Sequence, residues 1–145
     1  MTRITLSLAN AIIAAAIEKG REMQLSPLTI AVLDAGGHAI ALQREDGASN
    51  SRPQIATAKA AGALALGIPS RKIGEVAADR PSFIGSLHGL SPGGVVPAAG
   101  GVIVRDEDEI AIGAVGVTGD LSDNDEICAL AGIEAAGLRT CDGRS

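Results

Sequence analysis

Between Leu6 and Gln24 the apolar positions Leu6, Ala9, Ile13, Ile17 and Gly20 recur at three- and four-residue steps. That spacing is one face of a helix, with Thr5 or Ser7 placed to cap its start. Leu25-Ser26-Pro27 ends it, because the residue before a proline avoids helical dihedrals. Leu28 to Leu33 (LTIAVL) is rich in β-branched residues and predicts a buried strand, Asp34-Ala35-Gly36-Gly37 supplies a turn, and His38 to Arg44 returns as an antiparallel partner. After a loop from Glu45 to Asn50, Pro53 suits the first turn of a second helix, Gln54 to Leu66, which Gly67 closes. Ser70 is placed to cap a shorter helix reaching about Asp79.

Pro81 to Gly94 holds two prolines and four glycines and predicts an irregular excursion, the kind of segment that forms binding loops. Val95 to Val104 (VVPAAGGVIV) predicts a glycine-broken strand and Ile110 to Val117 (IAIGAVGV) another, with Asp106-Glu107-Asp108-Glu109 as the solvated hairpin tip between them. Ser122 then caps a last helix whose first turn carries Asp123, Asp125 and Glu126, the sign that favours the helix dipole. The order of elements predicts an α+β two-layer domain, an antiparallel sheet with helices on one side.

The 145 residues match the size of one domain, 1–145, and no repeat or linker divides them. Phe83 is the sole aromatic residue, so the 46% of apolar residues must build an aliphatic core. The same poverty excludes stacking platforms for single-stranded nucleic acid, and a net charge of −5 lacks the basic footprint that phosphate backbones require. The apolar stretch Ala9 to Ile17 is too short for a membrane span of about 20 residues, and no basic leader precedes it, which sets the cytoplasm as the expected location. Cys128 and Cys141 have no metal-ligand spacing around them and read as reduced thiols. No metal site is expected.

Few residues remain to carry chemistry. His38 opens the second strand behind a double glycine, where it serves either as an axial ligand or general base at a pocket mouth or as a hairpin residue bonding its own turn. His88 lies in the irregular segment between Gly85 and Gly89. Lys59 interrupts the alanine-rich run IATAKAAGALALG, and its ammonium either snorkels to water or points into a polar pocket to anchor a carboxylate or move a proton. Arg44 and Asp46 straddle the exit of the second strand and Arg80 precedes the irregular segment; arginines so placed clamp small anions or pair with surface acids. Neither a GxGxxG fingerprint, a P-loop nor a GxSxG elbow is present.

The segments AVLDAGGHAIALQREDGA (31–48), VVPAAGGVIV (95–104) and IGAVGVTGDLSDNDEICALAGIEA (112–135), with Lys59 in its alanine-rich helix, resemble the GlcG/HbpS-like family. That family includes haem-binding and haem-degrading proteins and the C-terminal domain of PduO-type adenosyltransferases. The resemblance runs from the first helix to about Gly137. It implies a profilin-like α+β fold with a central five-stranded antiparallel sheet, flanking helices and a homo-oligomer. It also implies a small anionic ligand, with haem as a candidate cofactor: His38 or His88 as the axial ligand, since the first helix here has no histidine, and Arg44 or Lys59 at the propionates. The rival expectation is a cofactor-independent isomerase or tautomerase acting on a small carboxylate, in which arginine holds the carboxylate and His38, His88 or Lys59 moves a proton.

Overall fold

The computed structural model describes residues 2–141. The helices are α1 (Leu6–Glu22), α2 (Arg52–Leu66), α3 (Ser70–Asp79), α4 (Pro81–Leu87) and α5 (Ser122–Ala135), with a 3-10 turn at His88–Leu90. The strands are β1 (Thr29–Asp34), β2 (Ala39–Arg44), β3 (Gly101–Arg105), β4 (Ala111–Thr118) and β5 (Arg139–Cys141). They form one open sheet in the order β2-β1-β4-β3-β5, every neighbouring pair antiparallel. The α+β class and the five-stranded sheet of the profilin-like fold are therefore present.

Alternation along the strands decides how the sheet is covered. Ile30, Val32, Val102, Val104, Val115 and Val117 meet Ile12, Ile13 and Ala16 of α1 and Cys128, Ala129 and Ile133 of α5. Leu33 and Ala114 belong to a separate cluster with Ala60 and Ala61 of α2. Helices thus lie on both faces of the sheet, not on one side as the order of elements suggested. The second face is hard to read because it is made of small residues. Gly101 and Gly116 are cross-strand partners, and a Cβ on either would collide with α2 backbone, the Lys59 carbonyl over Gly101 and the Ala56 carbonyl over Gly116. The alanine helix rests directly on this glycine seat.

Other boundaries shift for local reasons. The strand expected from Val95 begins at Gly101, although Val117 N–H still donates to the Gly100 carbonyl at 2.9 Å. Much of the expected excursion is helical: Pro81 opens α4, and Ile84 is buried against Ile73 and Val95. Thr5 caps α1 by accepting from Leu8 N–H at 3.1 Å. Ser70 and Ser122 instead occupy the first helical positions, behind Pro69 and Leu121. The Ser70 hydroxyl accepts from Gly101 N–H at 2.7 Å and so ties α3 to the start of β3. At the acidic tip Asp106 is buried, and its Oδ1 accepts from the N–H groups of Asp108 (2.8 Å) and Ile110 (3.0 Å). β5, three residues long, carries no alternation to read. Among the described residues no helix is long and apolar enough to cross a membrane.

Candidate ligand site at the hairpin turn

The β1–β2 turn places His38 at the wall of two cavities. The larger, about 680 Å³, has an apolar wall of Ile4, Ile40 and Ile112, an exposed rim that includes Leu6 and Ile110, two threonines, Thr2 and Thr5, and three ionisable residues, Arg3, Asp34 and His38. The smaller, about 310 Å³, lies where the turn, α2 and the segment Ser91–Gly93 converge. Volumes of this order suit small molecules.

The turn itself is organised by Asp34. Its Oδ1 accepts from Gly36 N–H at 3.0 Å and from His38 N–H at 2.9 Å, and Nδ1 of the His38 ring stands 3.2 Å from the same oxygen. These contacts, the His38 N–H foremost, hold the Asp34 carboxyl below its ordinary value against the opposing effect of desolvation. Gly37, at φ +84°, supplies the left-handed step that lets the chain return. The arrangement leaves the His38 side chain 82% exposed, with Nε2 free of these contacts.

The other anticipated residues sit elsewhere. Lys59 does not snorkel and lines neither of these cavities: it is 3% exposed, and Nζ donates to the Val117 carbonyl at 3.0 Å and to Asp125 Oδ2 at 3.2 Å. Burial lowers the Lys59 pKa and raises that of Asp125, with the mutual attraction opposing both shifts. Asp125 Oδ1 accepts from Asp120 N–H at 2.9 Å. Beside this pair, Arg71 donates to both oxygens of the fully buried Glu126 and to Asp123, which raises the guanidinium pKa further. These ion pairs join α2, α3 and the first turn of α5.

Arg44 and Asp46 line a separate hollow of about 310 Å³ with Arg21 and Glu45, at the far end of β2 from His38. Six strand residues span roughly 20 Å, so neither reaches the hairpin turn. Arg44 donates to Asn50 Oδ1 at 3.4 Å. The Arg80 guanidinium lies 4.2 Å from the centroid of the Phe83 ring, a cation–π contact. His88 is exposed, and its Nδ1 accepts from Val95 N–H at 3.3 Å, which pins the chain after Gly94. Of the six anticipated site residues, Arg44 and Asp46 share a cavity, and His38 lines two others. Arg3, Asp34 and Ser91 escaped the sequence reading. Asp34 alone carried a signal, its position four residues before His38 across a glycine turn.

Chemically, the larger cavity offers an apolar slot, an imidazole backed by a carboxylate and a guanidinium. Among the described residues no group of three or more His, Cys, Asp or Glu could hold a metal ion alone. A metal arriving in an organic ligand needs only one such donor, and the set here fits that demand.

The open sheet β2-β1-β4-β3-β5, covered by α1 and α5 on one face and α2 on the other, defines a profilin-like α+β protein. The chain belongs to the HbpS-like family: the model described as haem degrading protein HbpS-like matches residues 4–134. Solved structures agree. A PduOC–haem complex superposes with a TM-score of 0.84 at 24% identity, covering 96% of this chain and 99% of that one. Klebsiella pneumoniae protein ORFY gives 0.83 at 28% identity over 94% and 93% of the two chains. A double mutant of Streptomyces reticuli HbpS gives 0.79 at 27% identity over 92% and 87%. No curated protein matches the chain by sequence.

Proposed function

We infer that the protein binds haem or a closely similar anionic macrocycle in the larger cavity, with His38 as the axial ligand. The observation that carries this is the Asp34–His38 pair on the wall of an apolar slot: Nδ1 is held toward a carboxylate and Nε2 is left available. Imidazoles that ligate metals are commonly oriented this way, and the carboxylate raises their basicity. When bound, haem would supply an iron centre with an axial position for an imidazole nitrogen. Ile4, Ile40 and Ile112 would exclude water from the ring face. Arg3, rather than Arg44 or Lys59, is the cation placed to meet a propionate. His88 lines neither cavity and its Nδ1 is engaged by Val95, so it is not assigned a ligand role. Leu6 and Ile110, exposed at the rim, support a homo-oligomer that closes the slot further.

Membership of the HbpS-like family and the fold shared with a PduOC–haem complex support the same reading. The test is a hemin titration followed through the Soret band. Wild type is expected to saturate at one hemin per chain, His38→Ala to lose most of the shift, and His88→Ala to behave as wild type. No saturable shift at stoichiometric hemin, or an unchanged titration in His38→Ala, would overturn the proposal.

A further inference from the structure

The two consecutive glycines of the β1–β2 turn serve different ends. Gly37 N–H donates to the Asp34 carbonyl at 3.0 Å and closes the turn, and a φ of +84° at Gly37 calls for glycine there. Gly36, the third residue of the same turn, has a φ outside the left-handed region. A turn of that kind accepts most L-residues at this position, and alanine would ordinarily stabilise it by restricting the unfolded chain. What a side chain at Gly36 would meet is the His38 ring. A Cβ there would stand 2.9 Å from both Cε1 and Nδ1 of the imidazole and 3.4 Å from Asp34 Oδ1, and none of these three nearest atoms belongs to the backbone. At Gly37 a Cβ would meet nothing within 4 Å.

The His38 side chain is largely exposed, so the ring has room to swing aside. A methyl group at position 36 would therefore spare the fold and displace the ring. Ala35, Gly36 and His38 form the wall that the two cavities share, and the place of the ring on Gly36 decides what that wall presents.

We propose that Gly36 is a positioning residue: its bare Cα seats the His38 imidazole, keeps Nδ1 beside the Asp34 carboxylate and so leaves Nε2 as the unprotonated nitrogen that meets a ligand. The ligand half of this rests on the reading of His38 as the axial group; the seat does not. A carboxylate oxygen 3.2 Å from Nδ1 favours the proton on that nitrogen.

The ¹⁵N shifts of the neutral His38 ring, read in the full chain without hemin, test the seat directly. Wild type is expected to hold mainly the Nδ1–H tautomer. Gly36→Ala should move the ring toward Nε2–H without lowering the melting temperature, and should weaken hemin about 10- to 100-fold, the usual effect of losing the partner of a metal-ligating histidine. Combined with Asp34→Asn it should weaken hemin no further than Asp34→Asn alone, since both act through one contact. Gly37→Asn, which keeps the left-handed step, should leave the tautomer as in wild type. Wild-type tautomer populations or a lowered melting temperature in Gly36→Ala, the same tautomer change in Gly37→Asn, or additive losses in the double variant would overturn the proposal. A tautomer change in Gly36→Ala when no form of the protein, wild type included, binds hemin would sustain the seat and refute only the haem reading.

Discussion

Nδ1 of His38 stands 3.2 Å from Asp34 Oδ1, an oxygen that also accepts the backbone N–H groups of Gly36 and His38. One carboxylate therefore shapes the turn and orients the ring that the turn presents. Asp34→Asn keeps a carbonyl oxygen for the two backbone donors but removes the charge behind the imidazole. Hemin affinity is expected to fall about 10- to 100-fold, the usual effect of losing the partner of a metal-ligating histidine. Circular dichroism unchanged from wild type would show that the turn survives. An Asp34→Asn protein with wild-type hemin affinity would show that the carboxylate only builds the hairpin.

The Lys59–Asp125 pair makes a different prediction. Both groups are nearly inaccessible, and burial drives each toward its neutral form. Lys59→Met leaves the Asp125 carboxylate buried with Asp120 N–H as its remaining hydrogen bond, and should cost about 3–5 kcal/mol in urea unfolding. Asp125→Asn in the same background should restore part of the loss, so that the double variant is more stable than the sum of the singles by about 1–3 kcal/mol. Strict additivity would mean that the two side chains are not coupled.

How far the sequence could be read follows from which side chains carry a period. The valine and isoleucine strands, the Thr5-capped first helix, the hairpin at Asp34–Gly37 and the Gly67 terminator all announce themselves through local pattern or turn chemistry. Layering on the α2 face does not, because alanine against glycine leaves no hydrophobic alternation to count. The site divides along the same line. His38 stood out as one of two histidines, whereas the partner of Lys59, Asp125, is 66 residues away and was legible only as a helix-start acid. Contacts across that separation are set by topology, and composition in a window does not encode them.

The glycine seat under α2 can be tested by one methyl group. Gly116→Ala would push a Cβ into the Ala56 carbonyl, which is backbone and cannot rotate away. The helix would have to lift off the sheet, a strain at the upper end of the usual overpacking range of about 1–3 kcal/mol. Gly85, whose Cβ would meet nothing within 4 Å, is the control: Gly85→Ala, in helix α4, should be neutral or stabilising by up to about 1 kcal/mol. Thermal melts of the two variants measure the contrast, and similar melting temperatures would show that α2 does not rest on the glycines.

Acid stability should report on Asp120. Its carboxylate accepts from Asn124 Nδ2 at 2.8 Å and from Ser26 N–H at 3.0 Å, and these bonds, the Asn124 contact foremost, lower its pKa to about 2 from 3.8. A carboxyl depressed in the folded state binds protons more weakly there than in the unfolded chain. The stability it confers is complete above the unfolded value and is lost as pH falls from 3.8 to about 2. Screening at a partly exposed site reduces the gain to about 1 kcal/mol. Asp120→Asn should therefore be less stable than wild type at pH 6 by about that amount, and the difference should shrink to near zero at about pH 2. Urea midpoints measured at several pH values give the two curves. Parallel curves across this range would show that the Ser26 and Asn124 contacts do not depend on the charge of Asp120.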